Sequence, residues 1–223
     1  MKIIELKKSV TASNDADAAA LRRELAGKGV LMVNIMSSAG SGKTTLLGRI
    51  IEDVRGEARV GVIEADIDAS VDAERIEQLG ARSIQAHTDG MCHMDAGMTA
   101  AALHEMESND LDLIFLENVG NLICPAEYAT GSHLNVMLLS VPEGDDKPLK
   151  YPLMFRSSDA LVVTKTDALP YFSFDMEKCS QRVRSLNDKI RIFPVSAKTG
   201  EGMKELEEYL LGEMKRIKTG MTV

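Results

Sequence analysis

A glycine-rich run near the N-terminal end contains residues whose types and spacing suit phosphate binding. The run is Ser37-Ser38-Ala39-Gly40-Ser41-Gly42-Lys43-Thr44-Thr45, and it follows an apolar stretch, residues 30–36. A phosphate-binding loop has the pattern Gly-x-x-x-x-Gly-Lys-Ser/Thr, because backbone N–H groups, a lysine and a hydroxyl surround the phosphates. Gly42, Lys43 and Thr44 fit that pattern, whereas Ser37 stands at the first glycine position. The run therefore predicts a strand, a phosphate-binding turn and a helix.

Each part of this run has an expected contact with a nucleotide. We expect the backbone N–H groups of residues 40–43 to bind phosphate oxygens at the start of a helix. The Lys43 ammonium would reach the β- and γ-phosphates, and the Thr44 hydroxyl would be a ligand of Mg²⁺. An ordinary turn that binds nothing is the alternative, but such a turn has no structural need of Lys43. The predicted nucleotide-binding residues of this run are Gly40, Ser41, Gly42, Lys43, Thr44 and Thr45.

Three acidic residues come at or just after the ends of apolar, strand-like segments. They are Asp66, Glu117 and Asp167. Ligands of parallel α/β sheets bind at the carboxyl ends of the strands, so these side chains are expected near the phosphate loop. A carboxylate in that place suits Mg²⁺ or the ordering of an attacking water. We therefore predict Lys43, Asp66 and Glu117 as catalytic residues, and Thr44 and Asp66 as the Mg²⁺ ligands.

Two short motifs in the C-terminal half predict recognition of guanine. Thr164-Lys165-Thr166-Asp167 resembles the Asn-Lys-x-Asp motif of GTPases, in which the aspartate accepts from the ring N–H and amino groups of guanine. The stem of Lys165 would pack over the base, and Thr164 in place of asparagine is expected to weaken a hydrogen bond that braces the loop. Ser196, Ala197 and Lys198 match a later motif whose backbone N–H groups meet the guanine oxygen. Alone, Asp167 could be a helix N-cap and the second motif an ordinary turn, but their joint spacing favours GTP over ATP.

Cysteine and histidine residues form a third constellation. Cys92 and His93 are adjacent, and Cys124 lies just after the segment Glu117–Gly120. Thiolate and imidazole are ligands for Ni²⁺, Zn²⁺ or copper ions. An adjacent Cys-His pair is by itself more often a buried thiol beside a histidine that starts a helix, and the position of Cys124 strengthens the metal hypothesis. Three ligands leave a tetrahedral site one short, so a water or a second copy of the chain would complete it.

The remaining cysteine and histidines carry weaker signals. Cys179 is expected to lie on a helix and to pack in the protein interior. His87 is a weak candidate metal ligand, because it is close to Cys92 in the sequence. His104 and His133 have no evident partner and are expected to be structural or exposed.

The composition is that of a globular protein with an acidic surface. The 223 residues include 44% hydrophobic and 27% charged residues, with a formal net charge of −8. An acidic chain does not favour broad binding to a nucleic-acid backbone, which requires a basic face. Three cysteines, without a secretory signal or a long apolar span, predict a reduced, cytoplasmic setting and no membrane insertion.

Alternating strand and helix patterns predict an α/β fold, with a mainly parallel sheet flanked by helices on both faces, as in P-loop NTPases. The predicted strands are 30–36, 59–64, 83–86, 111–116, 134–141, 160–163 and 190–194, and the predicted helices are 18–25, 43–54, 71–79, 93–106, 177–186 and 202–215. We expect residues 1–223 to form a single domain, with residues 1–29 packed on it as an arm or helix. Residues 1–10 could be an edge strand or a frayed arm, followed by a helix capped by Asn14 or Asp15. Residues 142–150 are predicted to be a mobile loop.

Taken together, these segments resemble the HypB family, hydrogenase nickel-incorporation GTPases of the class that includes UreG. The most specific part is Glu117-Asn118-Val119-Gly120-Asn121-Leu122-Ile123-Cys124-Pro125-Ala126. The phosphate loop, Asp66, and the segments 72–75, 91–96 and 143–152 also match, so the resemblance extends from about residue 30 to residue 210.

This resemblance implies a GTPase that binds GTP or GDP with Mg²⁺, hydrolyses GTP slowly and forms a homodimer when GTP is bound. It implies that Ni²⁺ or Zn²⁺ binds at the dimer interface through Cys92, His93 and Cys124. The implied role is nickel insertion into [NiFe]-hydrogenase, with a HypA-like nickel chaperone and the hydrogenase large-subunit precursor as partners. Some members carry an N-terminal cysteine or histidine-rich nickel site, whereas the first cysteine of this sequence is Cys92.

Other hypotheses remain open. A urease-type nickel GTPase of the UreG kind differs around the Cys-His element, and Cys124-Pro125-Ala126 speaks against it. A non-catalytic metal-binding scaffold with a vestigial nucleotide fold would be consistent with the departures at Ser37 and Thr164. A small-molecule kinase would need a second substrate pocket, for which the sequence offers no candidate. GTP turnover with and without Mg²⁺ separates these hypotheses.

Overall fold

A seven-stranded parallel sheet forms the centre of the computed structural model, which describes residues 6–65 and 76–220. The strand order is β3-β2-β4-β1-β5-β6-β7, and each neighbouring pair is parallel. The strands are Leu31–Ser37 (β1), Val60–Ala65 (β2), Arg82–Ala86 (β3), Leu113–Glu117 (β4), Leu134–Ser140 (β5), Ala160–Thr164 (β6) and Arg191–Pro194 (β7). The predicted α/β fold with a parallel sheet is confirmed.

Helices cover both faces of this sheet. The α-helices are Leu6–Gly27 (α1), Lys43–Val54 (α2), Ala96–Glu105 (α3), Lys147–Lys150 (α4), Pro152–Arg156 (α5), Met176–Leu186 (α6) and Met203–Lys218 (α7). Short 3₁₀ helices are Ser108–Asp110, Cys124–Ala126, Val141–Glu143 and Thr166–Tyr171. Residues 76–78 are helical, and the start of the helix predicted at 71–79 lies outside the described residues. Within 6–65 and 76–220, no helix is long and apolar enough to cross a membrane.

The central strand β1 shows why both faces must be covered. All seven of its residues are buried. Since alternate side chains of a strand point to opposite faces of the sheet, both faces must be covered at this strand. Leu31, Val33 and Ile35 pack with apolar residues of α2 and α7. Met32 packs with residues of α1 and α3 on the other face. Strand order reverses at β1, between β4 and β5, so the loop after β1 lies at the crevice where such sheets bind ligands.

The N-terminal segment differs from the expectation. Helix α1 already includes residues 6–10, so neither an edge strand nor a frayed arm is correct there, while residues 1–5 lie outside the described residues. Asn14 is not a cap: it is buried within the helix, where its Nδ2 donates to the Ala129 carbonyl at 2.9 Å and its Oδ1 accepts from Ala96 N at 2.9 Å. This asparagine ties α1 to the first residue of α3. The polar residue that suggested a helix start therefore makes a tertiary contact instead.

The prediction of a loop at residues 142–150 is wrong. The segment forms part of a 3₁₀ helix followed by α4. Both Glu143 carboxylate oxygens are engaged, one with the Ser38 hydroxyl and the other with the backbone N and hydroxyl of Ser140. Asp145 accepts from Arg182 and from Asp175 N. The charges that suggested a solvated loop have partners, and Glu143 connects the segment to the phosphate loop.

Helix α3 begins later than predicted. Asp95 is its N-cap and accepts from Met98 N at 2.8 Å, so the helix starts at Ala96 rather than at residue 93. His93 therefore precedes the helix and does not start it. Strand β4 begins at Leu113 rather than at residue 111, because residues 108–110 form a 3₁₀ helix that turns the chain before the strand.

His133 has a structural partner that was not expected. Its Nδ1 accepts a hydrogen bond from Met32 N at 3.1 Å, at the end of the connection into β5. Burial, and to a smaller extent the nearby Arg22, lower the pKa of His133 to about 4. The folded protein thus holds this imidazole neutral at neutral pH.

This neutral histidine predicts a loss of stability in mild acid. The pKa of His133 is about 4 in the fold against an ordinary 6.5, so the unfolded chain binds a proton more readily between these values. Stability therefore falls as the pH falls from 7 to 5, by on the order of 1–2 kcal/mol from this group. His133→Asn can still accept a hydrogen bond from Met32 N. Its free energy of unfolding, measured with urea at pH 7 and pH 5, should therefore fall less than that of wild type. His104→Asn, at an exposed helix position, is the control; equal losses in wild type and His133→Asn would contradict the prediction.

Candidate nucleotide and metal site

A cavity of about 460 Å³ opens at the carboxyl ends of the central strands. This volume lies within the usual range for small-molecule sites. Several residues predicted for the nucleotide site line it: Gly40, Gly42, Lys43, Thr44, Thr45, Glu117 and Lys165. Its walls also include Ala39, Glu64, Ala65, Asn118 and Gly120. The predicted Asp66 lies outside the described residues.

The loop between β1 and α2 has the backbone that a phosphate-binding turn requires. Gly40 and Gly42 have φ angles of 74° and 98°, a left-handed region that favours glycine. Helix α2 begins at Lys43, and Gly42 at its N-cap has no side chain to bond the first N–H groups. The positive end of a twelve-residue helix therefore faces the cavity, where it favours an anion.

Ser37 is accommodated at the first glycine position of the pattern. It is fully buried at the end of β1 and is not among the described residues with a positive φ, so the fold does not require glycine there. Its hydroxyl donates to the Ser38 carbonyl at 2.8 Å and accepts from the Ser41 hydroxyl at 2.6 Å. The Lys43 ammonium lies 3.1 Å from the same oxygen. Ser37 thus stabilises the loop by hydrogen bonds and keeps the Lys43 ammonium next to the cavity.

Two carboxylates lie side by side at this edge of the sheet. Glu117 ends β4, and Glu64 on β2 is its neighbour in the parallel register. The Thr44 hydroxyl donates to Glu117 Oε1 at 3.3 Å, and Glu64 is only 3% exposed. Hard oxygen ligands of this kind fit Mg²⁺. Glu64 was not predicted from sequence, although an acidic residue inside an apolar strand was a signal that could have identified it.

The guanine motifs meet each other and the phosphate loop. Asp167 Oδ1 accepts from the Ser196 hydroxyl at 2.8 Å, which joins the two motifs. The Lys165 ammonium donates to the Gly40 carbonyl at 2.7 Å. The Thr164 hydroxyl donates to the Ser41 carbonyl at 2.7 Å. Thr164 was expected to weaken the hydrogen bond that braces this loop, but it makes a direct hydrogen bond to the phosphate loop. Asp167 and residues 196–198 do not line the phosphate cavity itself.

The three predicted metal ligands also come together. Ligand atoms of Cys92, His93 and Cys124 all lie within 4.8 Å of one another, although α3, a 3₁₀ helix and β4 separate Cys92 from Cys124 along the chain. Neither His87 nor Cys179 belongs to this group. Cys179 is buried in α6, where burial raises its pKa to about 11, as expected for a packing residue.

The pKa shifts of His93 and Cys124 have opposite effects on metal binding. Burial lowers the pKa of His93, against the opposing effect of Asp95 and Glu127, so the imidazole is available as a neutral ligand. A hydrogen bond with Cys92 and then burial raise the pKa of the Cys124 thiol. Binding of a metal ion would therefore release protons from the thiols. The His93 ring stacks on Tyr128 with centroids 3.9 Å apart, a contact that no sequence pattern indicated.

One loop, residues 118–124 after β4, lies between the nucleotide cavity and this metal group. A Cβ on Gly120 would be 3.1 Å from Ala39 Cα and N, so the loop touches the backbone of the phosphate loop. The buried Asn118 accepts from Met94 N at 3.1 Å and donates to Asn34 Oδ1 at 3.0 Å. The backbone next to His93 is thereby attached to the same loop. The loop thus contacts both the phosphate loop and the segment that carries His93.

Comparison with known proteins shows the family to which the chain belongs. The family model "CobW/HypB/UreG, nucleotide-binding domain" matches residues 31–194. The chain is 43% identical to hydrogenase maturation factor HypB of Rhizobium leguminosarum bv. viciae over 209 residues, which cover 94% of this chain and 70% of that protein. The fold is similar to the crystal structure of HypB from Helicobacter pylori in complex with nickel, with a TM-score of 0.86, 34% identity, and coverage of 95% of this chain and 98% of that one.

A second solved structure gives a similar result. Hydrogenase maturation factor HypB from Archaeoglobus fulgidus has a TM-score of 0.85 and 35% identity, with coverage of 91% of this chain and 99% of that one. The match over residues 31–194, the 43% identity to a HypB protein and the cavity described above lead to one assignment. The chain belongs to the CobW/HypB/UreG family of nucleotide-binding proteins, and within it to the HypB proteins.

Proposed function

We propose that this protein is a GTP-hydrolysing metallochaperone that assists nickel insertion during maturation of [NiFe]-hydrogenase. The observation that carries the proposal is the contact of one loop, residues 118–124, with both the phosphate loop and the segment of the metal group. HypB relatives named as hydrogenase maturation factors, and a HypB structure in complex with nickel, support it.

For hydrolysis, the loop at residues 40–45 would hold the phosphates through its backbone N–H groups. Lys43, now 3.1 Å from the Ser37 hydroxyl, would turn to the β- and γ-phosphates. Thr44, Asp66 and Glu117 would hold Mg²⁺ directly or through its waters, with Glu64 beside them. Bound Mg²⁺ would offset the charge that develops on the transferred phosphoryl group. Glu117 would also orient the attacking water.

For recognition of the base, Asp167 would accept two hydrogen bonds from guanine while Ser196 keeps its carboxylate in place. Lys165 has a left-handed backbone, with φ of 61°, and its Cε would lie 3.6 Å from a Cβ on Gly42. The lysine stem therefore lies next to the phosphate loop, from which it can cover the base. Backbone N–H groups of Ala197 and Lys198 would meet the guanine oxygen.

For metal handling, Ni²⁺ is the cargo, bound by Cys92, His93 and Cys124, and Zn²⁺ would occupy the same ligands. Soft sulfur and imidazole ligands suit both ions. Three ligands leave room for one from a second copy, so a homodimer that forms with GTP would share this site between its subunits. Hydrolysis would then loosen the dimer and lower the affinity for metal. A HypA-like nickel chaperone and the hydrogenase large-subunit precursor are the proposed partners.

The molecular mass of the protein in each nucleotide state tests the proposal. We would measure it with GDP and with a non-hydrolysable GTP analogue, each with and without Ni²⁺, alongside GTP turnover with and without Mg²⁺. Wild type should turn over GTP only with Mg²⁺, dimerise with the analogue, and dimerise more tightly with Ni²⁺, because coupling between sites is reciprocal. Cys92→Ala should lose the effect of Ni²⁺.

Cys179→Val is the control, because it removes a buried thiol outside the metal group. It should keep the response to Ni²⁺. If Cys92→Ala dimerises and responds to Ni²⁺ as wild type does, the proposed nickel role is contradicted, whereas the proposed GTPase activity is not. Absence of turnover with intact metal binding would favour the scaffold hypothesis.

A further inference from the structure

The side-chain amide of Asn121 contacts the backbone of both cysteines of the metal group. Its Nδ2 donates a hydrogen bond to the Cys92 carbonyl. Its Oδ1 accepts from Cys124 N at 2.9 Å and from Ile123 N at 3.1 Å. The partners are a carbonyl on one side and N–H groups on the other, so they determine which way the amide points.

Asn121 also follows directly on the residue that touches the phosphate loop. Gly120 lies against the Ala39 backbone, and Asn121 N donates to the Val119 carbonyl at 2.8 Å, which closes a tight turn around Gly120. A shift of Gly120 away from Ala39 would therefore move the Asn121 side chain with it. The two segments that carry Cys92 and Cys124 would then separate or rotate, because their common attachment moves.

We propose that Asn121 is a positioning residue of the metal site, which holds Cys92 and Cys124 at ligand separation and makes that separation depend on the phosphate-side loop. The inference rests on the proposed function in one respect, that Ni²⁺ binds to Cys92, His93 and Cys124. Asn121 does not touch the metal ion: it acts through the backbone of the two ligands. Loss of such an outer contact commonly lowers metal affinity 10–100-fold.

The contacts of Asn121 with the backbone of Cys92 and Cys124 require both the donor and the acceptor of an amide. Asn121→Ala removes both the donor and the acceptor. Asn121→Asp has the same shape and keeps the acceptor for Cys124 N, but it places a carboxylate against the Cys92 carbonyl, which repels it. The added negative charge alone would attract Ni²⁺, so a loss of affinity in this variant has the sign opposite to simple electrostatics.

The test is a Ni²⁺ titration of the full chain with GDP bound, against a competing chelator, with absorption spectra of the Co²⁺-loaded protein. We expect Asn121→Ala to raise the Ni²⁺ dissociation constant 10–100-fold and to shift the Co²⁺ bands, which report ligand geometry. Asn121→Asp should change both in the same direction. Asn187→Ala is the matched control, since Asn187 also joins backbone groups, donating to Ser158 O at 2.8 Å and accepting from Lys189 N at 3.2 Å on another loop.

The outcomes separate this inference from the proposal on which it rests. Wild-type affinity and wild-type Co²⁺ spectra in both Asn121 variants would overturn the positioning role, provided that Cys92→Ala loses Ni²⁺ binding in the same series. If Cys92→Ala also binds Ni²⁺ as wild type does, the proposed metal site itself is wrong. If Asn121→Ala unfolds, the isosteric Asn121→Asp decides, since GDP binding by that variant reports whether it is folded.

Discussion

Asp167→Asn should lower the affinity for GTP by about 10²–10³-fold and should raise the affinity for xanthosine triphosphate. The carboxylate of Asp167 would accept two hydrogen bonds from guanine, and each such bond to a charged group contributes about 1.5–3 kcal/mol. An amide presents one donor and one acceptor, which suits xanthine because that base carries a carbonyl in place of the amino group. The Ser196 hydroxyl, 2.8 Å from Asp167 Oδ1, keeps an acceptor in the variant.

Equilibrium binding of the guanine, xanthine and adenine nucleotides is the measurement. The gain of xanthine binding distinguishes a changed base preference from a damaged fold. Asp188→Asn, on an exposed turn before β7, is the control and should bind GTP as wild type does. If Asp167→Asn binds GTP with unchanged affinity, Asp167 does not recognise the base, and the proposed preference for guanine is contradicted.

Gly202→Ala should lower the free energy of unfolding by about 3 kcal/mol or more, which is unusual for so small a change. Gly202 stands at the N-cap of α7 with a φ of 72°, and a Cβ there would be 2.0 Å from the Pro194 carbonyl oxygen. The clash is with backbone, so no side chain can move aside. The loop that it closes contains the second guanine motif, whose Ser196 N donates to the Glu201 carbonyl at 2.9 Å. GTP affinity should fall as well.

A second glycine of the same helix provides the control. Gly212 lies inside α7, and a Cβ there would have no heavy atom within 4 Å. Gly212→Ala should therefore raise the free energy of unfolding by about 0.5–1 kcal/mol, because alanine restricts the unfolded chain more than glycine does. Denaturant unfolding of both variants checks the pair. Two values close to wild type would contradict the backbone geometry at Gly202.

Features that depend on neighbours along the chain could be predicted from the sequence. The turn at Gly40–Lys43 needs only left-handed glycines and a helix start, and both are local properties. The alternation of apolar strands with helices indicated the parallel sheet, because connections between parallel strands require such crossovers. Cys92 and His93 are adjacent, so two of the three residues of the metal group stand together in the sequence.

Contacts between distant segments could not be predicted in this way. Asn14 bonds Ala129, 115 positions away, and only the packing of α1 distinguishes this contact from a helix cap. Glu64 becomes a neighbour of Glu117 only because β2 pairs with β4 in that register. Asn121 has no sequence signature of its role, since an amide can bridge two backbone segments only after folding has brought them to its two sides. Residue types and their spacing indicated most of the groups that could bind phosphate, guanine and metal. Strand order and register bring one loop, residues 118–124, into contact with both the phosphate loop and the predicted metal ligands, because these segments come together only in the folded sheet.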